Sequence, residues 1–424
     1  MTDTTTYGGG QALPAPAFFA LFATTLATAI GNTGLISVMP AVGRALGISD
    51  VLVAGIFSLS ALMWAIFSPF WAKRSDLKGR KPYILLGLGG FIFSMTGCGL
   101  VVLGGGAWAV APNLIFIAFL CIRSSYGILG PAAATASQAY VAEHSSGAAR
   151  VRAVAALAGA LSLGTIVGPA IAPFLILPPA GQAMPMFLFA VGGVAILLFA
   201  LAALPRDGGA KRMERTDGAA APTGGIWKDV RVRPFLLYGF IVSSAQAANT
   251  YTLGFLVIDR LGLEPVAAQG AVGTAMVVGA VAALAAQWGL IGMGGMMPRA
   301  LLRWGAALAC LGNALIIFLP GYVSLVIAFA IANLGYGLAR PGFTAGASLA
   351  ASDRGQGAVA GAVSAIAGAS IVIPPVVAVA LYQLHHATPF IVLAATLCGV
   401  VGYAMINPAL AENRARREGI VSCE

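Results

Sequence analysis

The sequence has little charge to place. Only 9% of its 424 residues are Asp, Glu, Lys or Arg, while 59% are apolar; a soluble chain carries about a quarter charged residues. A chain of this kind cannot cover a water-facing surface, which excludes a soluble enzyme or binding domain. Acids are scarcest, 14 in all, and none falls in the middle of an apolar run. The five cysteines (98, 121, 310, 398 and 423) are odd in number and four lie within apolar runs. They read as small packing residues with no disulfide framework. Three histidines, His144, His385 and His386, read as surface residues, and no His/Cys/Asp/Glu spacing suits a metal. Phosphate loops and nucleophile–base pairs are also missing, so neither an enzyme nor a cofactor is expected. The first ten residues, MTDTTTYGGG, lack the basic region of a cleavable signal, and the first apolar run is expected to be retained.

Long apolar runs are what the sequence does have. Windows of about twenty residues, cut by Gly, Pro and charge, place spans near 16–41, 51–71, 82–104, 110–140, 150–177 and 184–204. A second set falls near 234–258, 266–290, 298–319, 322–347, 356–382 and 387–408. The expected fold is therefore an all-α polytopic membrane protein of twelve transmembrane helices in two six-helix halves. The halves cover residues 1–204 and 234–424, joined by a polar linker over 205–233 that holds seven Lys/Arg. Of the 24 Lys/Arg, 20 fall in the even-numbered turns, the linker and the tail. The positive-inside rule puts that side, and both termini, in the cytoplasm. The net charge of +10 is thus topological, and nucleic acid is not an expected partner.

The densest charge is Trp71 to Pro82, WAKRSDLKGRKP, with five cations and one acid between two spans. Asp76, Gly79, Arg80 and Lys81 in that stretch resemble the Asp-Arg-x-Gly-Arg-Arg/Lys loop between helices two and three of the major facilitator superfamily, with Leu77 in place of the first cation. The resemblance implies two pseudo-symmetric bundles, a central site near the midplane and alternating access. It also implies that Asp76 and Arg80 pair with Glu143, at the inner end of helix four, to close an inner gate. Internal echoes agree with a duplicated chain: Tyr126-Gly127 with Pro131 recurs 210 residues on as Tyr336-Gly337 with Pro341. The same offset lays Glu143 over Asp353, and an offset of 217 lays Asn32-Thr33 over Asn249-Thr250.

Charges inside spans are expensive and point to function. Arg123 and Arg340 are the two cations within apolar runs. Arg123, four residues before Gly127, resembles a second signature of the superfamily. Gly164-Thr-Ile-Val-Gly168-Pro169 resembles the Gly-x-x-x-Gly-Pro signature of its proton antiporters, although a small-residue stripe also serves plain helix packing. Across residues 39–175 the likeness is to bacterial tetracycline and multidrug exporters. In helix seven Gln246, Asn249 and Thr250 share a face and, with Asn32, could line the cavity; interhelical hydrogen bonding is the alternative.

Together these features predict a bacterial inner-membrane transporter, acting as a monomer, that exports a small organic compound by proton antiport. Arg123, Asn32, Gln246, Asn249 and Arg340 are the candidate substrate contacts, and their charge favours an anionic or zwitterionic compound. Expected partners are that substrate, protons and membrane lipids. Asp259, at the outer end of helix seven, is a candidate proton site. Uptake or facilitated passage of an organic anion, and lipid flipping on the same fold, are the alternatives.

Overall fold

The structure is a computed structural model that describes residues 13–107, 110–205, 223–290, 297–351, 356–407 and 410. Most of the linker (206–222), Asp353 and Cys423 lie outside the described residues. The chain divides into two compact units, residues 1–215 and 216–424. Among the described residues it is helical throughout, apart from short turns and one isolated bridge between Leu177 and Gly181.

Unit 1 contains α1 (Ala15–Ala45), α2 (Asp50–Lys78), α3 (Lys81–Ala107), α4 (Pro112–His144), α5 (Gly147–Ile171) and α6 (Met184–Ala203). Unit 2 contains α7 (Arg233–Leu261), α8 (Gln269–Leu284), α9 (Pro298–Phe318), α10 (Tyr322–Ala350), α11 (Gln356–Val372), α12 (Pro374–Leu384) and α13 (Thr388–Ile406). Among the described residues, eleven segments are long and apolar enough to cross a membrane. The missing twelfth, α7, is 29 residues long, but Ser243, Ser244, Gln246, Asn249 and Thr250 dilute its apolar character. The run expected over 356–382 is two helices, because Pro374 and Pro375 supply no N–H to the preceding turn and end α11 at Val372. Prolines also begin helices, at the first turn of α1, α4, α6, α7, α9, α12 and α13, where a missing N–H costs nothing.

Each unit packs in the same order. In unit 1, α1 lies against α5 and α6, α3 against α4 and α6, and α2 against α4. In unit 2, α7 lies against α10, α11, α12 and α13, α9 against α10 and α13, and α8 against α10. Except that α7 also packs against α10 whereas α1 barely touches α4, replacing each helix of the first unit by its counterpart six spans later reproduces these pairs. The repeated Tyr-Gly pair shows why. A Cβ on Gly127 of α4 would come within 2.4 Å of the Ser60 carbonyl of α2, and one on Gly337 of α10 within 2.5 Å of the Ala283 carbonyl of α8. Lipid tails are as apolar as leucine, so helices in a bilayer gain from close backbone approach rather than from the hydrophobic effect. The tyrosines beside these glycines, Tyr126 and Tyr336, are both buried.

Candidate functional site

The charged loop between α2 and α3 is built around Arg80. Gly79 ends α2 at φ +90°, a conformation that side-chain-bearing residues rarely adopt, and this turn sends Arg80 back under the helix end. Arg80 pairs with Asp76 one turn earlier and with Glu143 near the end of α4, and its Nε lies 3.1 and 3.2 Å from the two Glu143 oxygens. Its Nη1 donates to Ser75 Oγ at 2.7 Å. The Arg80 side chain is 8% exposed, whereas Asp76 and Glu143 remain 43% and 44% exposed. Burial lowers the pKa of Arg80, but hydrogen bonds and charge from Glu143 and Asp76 raise it more, so the guanidinium stays ionised. Lys81 caps α6, donating to the carbonyls of Leu201 (2.8 Å) and Leu204 (2.5 Å).

A second cluster lies inside unit 1. Arg123 sits eleven residues into the 33-residue α4, about 16 Å from its start at 1.5 Å per residue. It is 2% exposed. Its Nη2 donates to the Asn32 side-chain oxygen of α1, and its guanidinium lies over the Tyr126 ring at 4.8 Å and near the Phe57 ring of α2 at 5.6 Å. Ser60 of α2 donates to the Arg123 carbonyl at 3.1 Å. Aromatic faces and an amide thus surround a cation in mid-span. The described acids of unit 1, Asp50, Asp76 and Glu143, all lie at helix ends, and Asp50 is bonded to Arg44 there at 2.8 Å.

The small-residue motif of α5 positions that cluster. Gly164, Gly168 and Pro169 are all buried. The Thr33 hydroxyl of α1 reaches the Gly164 carbonyl at 2.9 Å. A Cβ on Gly168 would stand 2.2 Å from Thr33 Oγ1 and 2.5 Å from the Ile30 carbonyl. Close packing against α5 therefore holds α1 at the residue next to Asn32. Sequence reading did not find this link between the two motifs, since the threonine carries no signal of its own.

In unit 2 the three polar residues of α7 separate. Asn249 is fully buried and donates to Asn313 Oδ1 of α9 at 3.0 Å, while the Asn313 amide donates to the Tyr336 hydroxyl of α10, also at 3.0 Å. Asn249 thus bonds α7 to α9, the interhelical alternative, as a buried amide in an apolar bundle needs a partner. Gln246 and Thr250 are half-buried, and the Thr250 hydroxyl bonds the Gln246 carbonyl at 2.9 Å. Arg340 is exposed on α10, while Asn333, at the repeat position of Arg123, is buried. Asp259 accepts a hydrogen bond from the Tyr382 hydroxyl of α12. His386, expected as a plain surface residue, stacks on Tyr382 with ring centroids 4.7 Å apart. Asn313, Tyr382 and His386 were missed as site neighbours because nothing in the sequence says which helices meet.

A model of the Major Facilitator Superfamily matches residues 21–375. No curated protein sequence matches the chain. Among solved structures, a mutant of the nucleoside transporter NupG aligns with 92% of this chain and 99% of its own at a TM-score of 0.71 and 11% identity. The human organic anion transporter MFSD10 (TETRAN) aligns with 92% of this chain and 100% of its own, with a TM-score of 0.60 and 20% identity. A bacterial homolog of the human lysosomal transporter Spinster, inward-facing and occupied, covers 93% of this chain and 94% of its own, with a TM-score of 0.66 and 12% identity. At such identities these structures share the fold. With the family model spanning most of the sequence, the chain belongs to the major facilitator superfamily, a multi-pass membrane transporter of small molecules and not an enzyme.

Proposed function

We propose that the protein exports a small anionic or zwitterionic organic compound by proton antiport, through alternating access, from the cytoplasm across a bacterial inner membrane. The observation that carries the substrate charge is Arg123, enclosed in mid-span between Asn32, Tyr126 and Phe57, in a chain with no acid in the middle of any span. Because Arg123 is 2% exposed, it acts through half-buried Asn32 and through its field. A unit charge 6 Å away at an effective dielectric of 20 is worth about 3 kcal/mol, enough to disfavour a cation. Arg340 and Gln246 are the proposed contacts from unit 2. Asp76, Gly79, Arg80, Lys81 and Glu143 form the proposed gate, whose ion pairs break and re-form through the cycle. Export and proton exchange rest on the resemblance of Gly164, Gly168 and Pro169 to the antiporter signature. Both termini and the linker are assigned to the cytoplasm on the distribution of Lys/Arg, and the monomer is the proposed working unit.

A second reading, uptake or facilitated passage of an organic anion, is favoured by the same lack of a mid-span carboxylate to carry a coupling proton. Proteoliposomes separate the two. Tetracycline serves as a zwitterionic probe and ethidium as a permanent cation, each with and without a pH gradient. Tetracycline flux that follows the gradient and drops in Arg123→Lys and Arg340→Gln is expected. Robust ethidium export indifferent to both substitutions would exclude the substrate class, and flux indifferent to the gradient would exclude antiport.

A further inference from the structure

The end of unit 2 away from Arg233 holds a cluster that none of the family motifs uses. Asp259 lies two residues before the end of α7 and lines a cavity of about 440 Å³ together with Leu256, Ile316, His386 and Phe390. Its side chain is 22% exposed. The Tyr382 hydroxyl donates to Asp259 Oδ2, and His386 Nε2 lies 3.8 Å from the same oxygen. Tyr382 near the end of α12 and His386 in the turn after it stack with their rings 8° from parallel. The phenol therefore holds both the carboxylate and the imidazole in place, one by a hydrogen bond and the other by its face.

Several elements face this cluster. From α7 come Asp259 and Arg260, from α12 Tyr382, and from the turn before α13 His385 and His386. The end of α9 and the turn after it present backbone carbonyls of Ile316, Leu319 and Gly321, and all three accept from the Arg260 guanidinium. α13 presents Phe390. Arg260 is thus turned toward the carbonyls at a helix C-terminus, a favourable place for a cation, and His386 is the imidazole beside Asp259.

We propose that Asp259, Tyr382 and His386 bind one proton as a unit, and that the exchanged proton loads there. Its role in transport rests on the antiport reading above; the binding of the proton does not. Proton uptake converts the imidazole to an imidazolium facing the carboxylate, while Tyr382 keeps its hydrogen bond. The cluster then passes from one negative charge to none. The partly buried Asp259 carboxylate, 22% exposed beside a 64% exposed imidazole, is hydrated differently when the cluster is neutral and when it is charged. That difference is the free energy by which a proton can bias two conformations. The titration belongs to the group and not to one residue.

The test is proton binding in the full-length protein, followed by NMR of 13Cε1-labelled histidine between about pH 5 and 8. With three histidines in the chain, each resonance is assigned from one His→Gln variant. Asp259→Asn is expected to lower the His386 midpoint by at least about half a pH unit, with His144 unmoved as a check on the fold. Glu264→Gln, a carboxylate in the next turn that does not line the cavity, is expected to move it by less than a tenth of that. A His386 midpoint that responds no more to Asp259→Asn than to Glu264→Gln would overturn the site. A second arm measures pH-driven tetracycline flux in proteoliposomes, where Asp259→Asn is expected to cost at least tenfold. If the wild type shows no pH-driven flux while the NMR linkage is present, antiport falls and the proton site stands. If flux survives Asp259→Asn unchanged, the loading role falls.

Discussion

At the scale of single residues, two arginines in unit 1 do different work in different surroundings. Arg80 is enclosed but its partners Asp76 and Glu143 are partly exposed, and such pairs contribute at most about 1 kcal/mol to stability. Asp76→Asn should therefore leave the protein inserted and folded, because Glu143 still answers Arg80, while transport drops severalfold as the gate closes less firmly. Unchanged flux in vesicles at equal expression would remove Asp76 from the gate. Arg123 is buried among rings and one amide, and lysine cannot copy a planar guanidinium that stacks on Tyr126 and reaches Asn32 at once. Arg123→Lys should cost tenfold or more in transport with a small change in thermal stability, measured as flux and as Tm in detergent. An equal loss of both would instead make Arg123 a structural residue.

At the scale of helices, the small residues of α5 determine how near α1 can come. The contact at Gly168 leaves no room for a Cβ, whereas a Cβ at Gly159 of the same helix meets nothing within 4 Å. Gly168→Leu should lower stability by about 1–3 kcal/mol and displace Asn32 from Arg123. Gly159→Ala should be neutral or slightly stabilising, since alanine is the better helix former. Thermal unfolding of the two variants in the same detergent checks this; equal midpoints would mean that α1 and α5 are not held by this contact. At this crossing the packing of α5 falls on Thr33, the neighbour of Asn32.

For the whole molecule the distribution of Lys/Arg predicts sidedness, and the structure selects the residues that can report it. From the sequence alone Ser75 would be the natural probe of the loop between α2 and α3, but it is 1% exposed and bonded to Arg80, so a cysteine there would not react. Lys78 is exposed in the same loop, and a side chain at Gly106, at the other end of α3, meets nothing. In intact cells lacking the native cysteines, Lys78→Cys and Gly218→Cys should be protected from an impermeant thiol reagent and Gly106→Cys labelled. Labelling of Gly218→Cys from outside would overturn the proposed topology; that residue lies outside the described part of the structure.

The sequence by itself determined that the chain lives in a bilayer, roughly where it crosses, and that it is duplicated. These follow from run length, charge count and spacing, which are one-dimensional properties. It also marked Arg123, because a charge is costly wherever lipid surrounds it, and Asp76 and Arg80, because the charged loop that holds them resembles a signature of the superfamily. Only the tertiary structure decided what those residues touch. Asn249 and Gln246 are three positions apart and look alike in the sequence, yet one bonds Asn313 in the interior and the other is half-buried. His386 and Asp259 are 127 residues apart and share an oxygen contact through Tyr382. Apolar periodicity is nearly silent about such pairings, since in a bilayer every face of a helix can be apolar. Which faces meet is set by small-residue contacts and buried hydrogen bonds whose partners lie far along the chain.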